Sequence, residues 1–493
     1  MILFLLRAVA CSAVIAFLAS AAPAAPRKPN VLMIAVDDLR PELGCYGRSY
    51  IHSPNIDRLA DRGLVFRHAY CQQAVCSPSR SSLLTGARPD TTRVWDLQTH
   101  FRKAMPNVVT LPQLFKNSGY FVQGVGKIFH GGYDDPPSWS VPPWTKPDLP
   151  MFGLPANEAV YRRKLAAGKH SSPQAVAIRL PPFENADVPD NTFQDGALAD
   201  SAVRALGAIK QKENRPFFLA VGFTKPHLPF VAPKRYYDLY EGRPIELAPN
   251  PFFPKGAPAY ASVGAGELMG YDGIHSGHQP DDLARRLKRS YFAAISYMDA
   301  QVGRVLDELA RLGLAENTIV VLWGDHGWKL GEHDSWAKHT NTEEDTRVPL
   351  IVSVPGKKSA GRQTDGLVEL VDIYPTLAEL AGLELPPHLE GSSFVRLLDE
   401  PTRSWKTAAF SQYPRDVKGR RLMGYSMRTD RYRLTRWVDR DNHDQVDSVE
   451  LYDHKTDPEE NTNLAGEASW QPLVAELTKQ WQAGWRAAKP PSK

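Results

Sequence analysis

Cys71-Gln-Gln-Ala-Val-Cys76-Ser77-Pro78-Ser79-Arg80, continued by Ser81-Ser-Leu-Leu-Thr-Gly86, is the stretch on which the reading of this chain turns. An extended apolar run, Leu64-Val65-Phe66, leads towards it, Pro78 marks a polar turn, and Ser81 to Leu84 read as the first turns of a helix. The Cys76 sulfur is therefore expected near a helix N-terminus, where unpaired backbone N–H groups favour negative charge. Arg80 adds a guanidinium suited to forked contact with an oxyanion. The pattern predicts a site for an anion. A lone cysteine is ordinarily a buried, inert side chain; a five-residue motif beside a helix start argues for more.

Working outward, Val31-Leu-Met-Ile-Ala-Val36 is a continuous apolar run that ends in Asp37-Asp38, the pattern of a central strand buried on both faces. Open α/β sheets place ligands at the carboxyl ends of such strands. Thr318-Ile-Val-Val-Leu-Trp323 repeats the device and ends in Gly324-Asp325-His326-Gly327. A bare Asp-Asp is usually a solvated turn, but two strand-then-acid units, expected at the two ends of the sheet, would bring Asp37, Asp38, Asp325 and His326 to one rim. Carboxylates there suit a hard cation such as Ca²⁺. Two further basic clusters follow strands: Lys127 and His130 in a Gly-rich turn after Tyr120 to Gly124, and Lys225-Pro226-His227 after Pro216 to Gly222. Trp336-Ala-Lys338 follows the second acidic strand.

The helices read between these strands are Pro54 to Gly63, Thr110 to Gly119, Phe193 to Lys212, Asp281 to Leu312 and Asp372 to Ala381, with a further strand at Val348 to Val354. Strand and helix alternate, which predicts a multi-stranded α/β sheet with helices on both faces. Two Pro-rich stretches, Tyr133 to Pro189 and Pro244 to Pro280, read as irregular insertions; Trp139, Trp144 and Phe152 give the first something to bury. Beyond about Pro401 short strands and turns, then a helix over Trp470 to Ala488, predict a small antiparallel sheet packed on one helix.

Length and composition set the bounds. At 493 residues more than one core is expected. Apolar content of 42% is ordinary, and a net charge of +4 does not announce nucleic acid, so attraction to an anion must come from local placement. Residues 1–25 have the form of a secretory signal: an apolar run interrupted by Arg7 and ending in small residues. That predicts a secreted or periplasmic protein without stable membrane insertion. The predicted division is a catalytic domain over 28–400 and a C-terminal subdomain over 401–493. Once the signal is removed, taking Cys11 with it, Cys45, Cys71 and Cys76 remain, an odd number; Cys45 and Cys71 are free to pair or not.

Cys76-x-Pro78-Ser79-Arg80 followed by Leu84-Thr85-Gly86 resembles the signature of the type I sulfatases. The longer string from Gln72 through Thr85-Gly-Ala-Arg-Pro-Asp-Thr-Thr-Arg93 is similar to the iduronate-2-sulfatase branch, and the likeness runs from about Pro29 to Asp457. It implies an alkaline phosphatase/sulfatase-like α/β fold, a large mixed sheet flanked by helices, with a smaller C-terminal α+β subdomain. It further implies that Cys76 is oxidised to formylglycine (3-oxoalanine) by a formylglycine-generating enzyme. Asp37, Asp38, Asp325 and His326, with the oxygen at position 76, would surround Ca²⁺, while Arg80, Lys127 and Lys338 take up sulfate charge. His227, with Lys338, would protonate the departing sugar oxygen, and His130 would assist regeneration of the aldehyde. Most sulfatases have Asn in place of His326 and one residue, not two, between the Lys and His of the Lys127–His130 pair; the iduronate branch shares both departures.

The activity expected from this likeness is hydrolysis of the 2-O-sulfate of a uronic acid in a sulfated oligosaccharide or polysaccharide. Arg88, Arg93, Trp95 and Asp96 follow the nucleophile helix, and Trp328 follows the second acidic pair. They are placed either to bind a uronate carboxylate and stack on a sugar, or simply to pack beneath the first insertion. Two other readings stay open: a phosphate or phosphonate monoester hydrolase of the alkaline phosphatase superfamily, and a sulfated-glycan-binding protein without activity.

Overall fold

Alternate residues of the first strand enter different cores: Leu32, Ile34 and Val36 pack on one face, Val31, Met33 and Ala35 on the other. This is the two-sided burial that its unbroken apolar run predicts. The computed structural model describes residues 28–142, 144–167, 180–212 and 215–491. The expected signal segment lies outside them. Among the described residues no helix is long and apolar enough to cross a membrane.

The strands in chain order are β1 (Asn30–Val36), β2 (Leu64–Tyr70), β3 (Phe121–Gly126), β4 (Phe183–Glu184), β5 (Phe217–Phe223), β6 (Phe230–Val231) and β7 (Thr318–Gly324). They continue as β8 (Arg347–Ser353), β9 (Arg362–Thr364), β10 (Val368–Glu369), β11 (Ala409–Val417), β12 (Arg420–Arg428), β13 (Tyr432–Asp439) and β14 (Val446–Asp453). The main sheet runs β10-β2-β8-β7-β1-β5-β3, with β9 beside β2. The pairs β7/β1, β1/β5 and β5/β3 are parallel, whereas β8 is antiparallel to both β7 and β2, so the sheet is mixed. Helices Gln194–Gln211 and Asp281–Arg311 cover one face; Cys76–Thr85, Leu111–Asn117 and Ile373–Leu380 cover the other.

Two expectations change. The two strand-then-acid units are not at opposite ends of the sheet: β1 and β7 are adjacent and parallel, with Val36 opposite Gly324. Direct register, not rim curvature, brings their acids together. The first Pro-rich insertion is not wholly irregular, since Pro155–Ala166 forms a helix with Pro at its start. Only Tyr161 of that helix is buried, so no apolar stripe advertises it. Trp139 and Phe152 are buried as expected. The three described cysteines, Cys45, Cys71 and Cys76, are each unpaired.

At the C-terminus β11 to β14 form an antiparallel meander, as the short-strand pattern predicts. Met427, Leu434 and Leu451 pack with Leu477 and Trp481 of the helix Gln471–Ala487. The opposite face, carrying Tyr413, Arg415 and Trp437, is turned to the larger domain: Arg415 donates to the carbonyls of Tyr260 and His339. Ser411 Oγ donates to the Cys71 carbonyl and the Gln412 amide to that of Gln72, tying β11 to the approach to Cys76.

Candidate active site

The nucleophile helix starts at Cys76 itself, five residues earlier than Ser81, with extended Val75 before it. Cys76 therefore occupies the first helical turn, where backbone N–H groups have no intrahelical acceptor. Cys76, Ser77, Ser79 and Arg80 are all buried. Burial pushes the Cys76 thiol well up.

Asp37, Asp38 and Asp325 are fully enclosed. Asp325 continues β7: its N–H donates to the Val36 carbonyl at 3.1 Å, and its Oδ1 accepts from the amides of Asp38 (3.1 Å) and His326 (3.0 Å). Asp38 adopts a left-handed backbone, φ 58°, which turns it back towards the strand end; Asp tolerates this better than bulkier residues. Arg80 lies between the carboxylates, Nε to Asp325 Oδ2 at 2.8 Å and Nη2 to Asp37 Oδ1 at 3.1 Å. Lys127 Nζ meets Asp37 Oδ2 at 2.6 Å and Lys338 Nζ meets Asp38 Oδ1 at 2.8 Å. Lys127 reaches in because its backbone crosses Gly222, where a Cβ would stand 2.0 Å from the Lys127 carbonyl.

The charges set the protonation of the two adjacent acids apart. Burial works to raise Asp37, but Lys127 and Arg80 outweigh it and hold the carboxyl well below its ordinary range. For Asp38 burial prevails over Lys338 and His326, and the group is pushed up. A buried carboxylate in this state is relieved by a cation.

His326 is arranged as a donor atom for one. Its Nδ1 lies 3.0 Å from the Gly327 carbonyl, which can only accept, so Nδ1 carries the proton and Nε2 presents its lone pair. Nε2 stands 3.3 Å from Cys76 Sγ, 3.4 Å from Asp38 Oδ1 and 3.6 Å from Asp325 Oδ1. Ligand atoms of Asp37, Cys76, Asp325 and His326 all lie within 4.8 Å of one another. Several carboxylate oxygens with one imidazole nitrogen fit a divalent cation, and the oxygen-rich set favours a hard one.

His227 joins the same cluster: its ring nitrogen lies within 4.8 Å of ligand atoms of Asp37, Asp38 and Cys76. Lys225 Nζ bonds the carbonyls of His227 (2.8 Å) and Pro229 (2.6 Å), fixing the turn after β5. His227 Nδ1 donates to the Leu228 carbonyl at 2.7 Å, and Nε2 lies 3.3 Å from Glu267 Oε1. Burial draws His227 down to about 4 against the pull of Glu267. Both ring nitrogens face acceptors, so the two contacts are satisfied together only by the imidazolium, which burial disfavours; an arriving anion adds charge that favours the second proton, on Nε2. His130 is half-buried; its Nδ1 is enclosed without a partner, and burial with Lys127 draws it down to about 4.

Of the residues expected to hold a sugar, three are committed elsewhere. Arg88 forms a forked pair with Glu369, 2.8 Å on each arm. Trp328 is fully enclosed in the core against Phe230, with Lys338 Nζ 5.0 Å over its ring, so no face remains for stacking. Asp96 caps its own turn, accepting from the amides of Gln98 and Thr99. Arg93 is exposed and lies over Trp95, whose indole N–H donates to Asp90. Neither is joined to the charge cluster by a hydrogen bond or ion pair among the described contacts.

Glu267 was not foreseen. It bridges Lys338 Nζ (3.1 Å) and His227 Nε2 (3.3 Å), and those two partners overcome burial and hold it low. Gly266 places it: a Cβ there would meet Ala337 Cβ at 2.4 Å, so only glycine lets the turn press against the residue preceding Lys338. An acid in an irregular Pro/Gly-rich segment carries no periodic signal; the Gly-Glu step was the one available hint.

A model of the family described as Sulfatase matches residues 29–383, most of the larger domain. The chain belongs to the sulfatase family. It is a sulfuric ester hydrolase by that membership, and residues 331–486 match the model described as N-sulphoglucosamine sulphohydrolase, C-terminal. This sulfatase is 39% identical to iduronate 2-sulfatase of Homo sapiens, covering 88% of this chain and 90% of that one. It is 38% identical to that of Mus musculus, covering 91% and 93%. The fold is also that of a solved complex with D-glucosamine-2-N,6-O-disulfate, at TM-score 0.72 and 22% identity over 95% of this chain and 100% of the other. The family's members use formylglycine and a metal ion.

Proposed function

We propose that this sulfatase removes the 2-O-sulfate from a uronic acid, iduronate first, in sulfated glycans, after export from the cytoplasm. The observation that carries the reading is the convergence on Cys76 of three buried acids, an inward-facing imidazole nitrogen and three cations, with His227 beside them. The likeness to mammalian iduronate 2-sulfatases over most of both chains supports the choice of sugar.

Asp37, Asp38, Asp325 and His326 are the residues that would hold Ca²⁺. The cation supplies positive charge to a sulfate ester, and formylglycine at position 76, hydrated, supplies a hydroxyl nucleophile. Arg80 fixes Asp37 and Asp325 so that their oxygens do not reorganise during the reaction. Lys127 and Lys338 stand beside the acids with charge to offer the incoming sulfate ester anion. His227 delivers the proton from Nε2 to the departing sugar oxygen, Glu267 holding the ring in line, and the unpartnered Nδ1 of His130 is free to receive one.

The direct test pairs the intact mass of the peptide containing position 76 with activity on 2-sulfated iduronate disaccharides. A peptide still carrying cysteine in fully active protein would defeat the proposal. The proton-donor role has its own signature. His227→Asn is expected to lower kcat on a sugar sulfate by about 10²- to 10³-fold. On nitrophenyl sulfate, whose leaving group departs without a proton, the loss should be at least about tenfold smaller. Equal losses on both esters would remove His227 from that role.

A further inference from the structure

Buried arginines in this protein come with carboxylates. Arg80 has Asp37 and Asp325, Arg88 has Glu369, and Arg433 has Glu343 and Glu460. Arg415, half-buried on β11, has none, and the same is true of the half-buried Arg289 and Arg436; of these three, Arg415 is the one whose hydrogen bonds reach the segment that follows Lys338. Its Nε donates to the Tyr260 carbonyl (2.7 Å), Nη1 to that of Pro414 (3.0 Å) and Nη2 to that of His339 (2.5 Å). Among the described residues no carboxylate oxygen is paired with it within 4.0 Å. The acids that face it are engaged: Asp345 pairs with Lys329 at 2.8 Å, and Glu450 accepts from Trp437 Nε1 and Tyr452 Oη.

Neutral carbonyls orient a guanidinium without cancelling its charge. A cation withdrawn from water in this way is costly, and burial accordingly lowers its hold on its proton. Three of its five N–H groups are used, which leaves one on each Nη, the fork that grips a carboxylate.

Its place in the molecule gives the fork an address. His339, whose carbonyl Arg415 holds, directly follows Lys338, and its own N–H donates to the Ala74 carbonyl, two residues before Cys76. His339 is kept in a left-handed backbone, φ 87°, a conformation that a non-glycine residue retains only where its surroundings impose it. The Tyr413 ring spans the interval, 5.6 Å from the His339 imidazole and 4.6 Å from the Arg415 guanidinium. Sulfate site, aromatic ring and uncompensated cation thus follow one another in the order of the groups of a sulfated uronic acid.

We propose that Arg415 is the receptor for the carboxylate of the uronate whose sulfate is removed, with Tyr413 and His339 flanking the sugar between it and Cys76. This assignment rests on the 2-sulfated uronate reading and moves the role expected of Arg88 to the C-terminal sheet.

The test compares kcat/KM of the full-length enzyme on a 2-sulfated iduronate disaccharide and on its carboxyl-reduced counterpart. The wild type should prefer the carboxylate by about one to two orders of magnitude, the range of a forked charged pair. Arg415→Met should bring that ratio close to one, and Arg415→Lys, with charge but no fork, should recover part of it. A variant that loses both substrates equally, keeping the ratio, overturns the assignment. So does a wild-type enzyme that takes both substrates alike, a measurement that needs no variant to fold. Hydrolysis of neither disaccharide by an enzyme active on other sulfated sugars overturns the uronate reading, and the assignment with it.

Discussion

Cys76→Ala is expected to lower hydrolysis of the preferred sulfated sugar by at least about four orders of magnitude, the scale on which loss of a nucleophile is felt. The fold should survive. Among the described contacts Cys76 Sγ has one polar atom within hydrogen-bond range, His326 Nε2 at 3.3 Å, and the side chain lost is small, so stability should change by about 1 kcal/mol or less. The acids and cations around position 76 are paired with one another independently of the sulfur. Turnover on a sulfated disaccharide beside a thermal melt separates the two effects. Hydrolysis at the wild-type rate would remove Cys76 from the chemistry altogether.

The second large effect is at Asp325. Its oxygens receive Arg80 Nε and the amides of Asp38 and His326, all in a region closed to water. Asp325→Ala leaves a buried guanidinium with half its counter-charge and strands two buried N–H groups, a cost of about 3–5 kcal/mol. Activity should fall by about 10³-fold or more, because a residue proposed to hold the cation is removed at the same time. Asp325→Asn divides these contributions. It retains an acceptor for the two amides and should cost less stability than Ala, yet lose metal content and activity nearly as far. Denaturant melts, metal analysis and turnover on both variants test this. An Asn variant with wild-type metal content and rate would show that the charge at 325 is not needed.

The fold class was legible because the central strands are unbroken apolar runs. Val31 to Val36 and Thr318 to Trp323 are filled on both faces, and no amphipathic alternation competes with that reading. What sequence could not give was which strands are neighbours: periodicity says nothing about order, so the adjacency of β1 and β7 appears only in space. The charge cluster was legible for a related reason, since each member follows a buried strand or opens a helix. The sugar-binding expectation failed at Arg88 and Trp328 because nearness in sequence to the nucleophile was its only support. Glu369, which claims Arg88, is 281 residues away. Glu267 and Arg415 lie, respectively, in a segment without periodicity and on a strand of another sheet, and no local pattern could connect either to Cys76.

The hydrogen bonds from Ser411 and Gln412 to Cys71 and Gln72 have a bearing on biosynthesis. A ribosome releases the first four hundred residues before β11 exists, so until then the segment leading to Cys76 lacks these two bonds and is held only by earlier parts of the chain, such as Thr346 and Val371. Completion of the crevice thus coincides with the last fifth of translation, and a premature stop anywhere beyond the large sheet yields a chain holding every acid, imidazole and lysine of the centre under an unfinished roof.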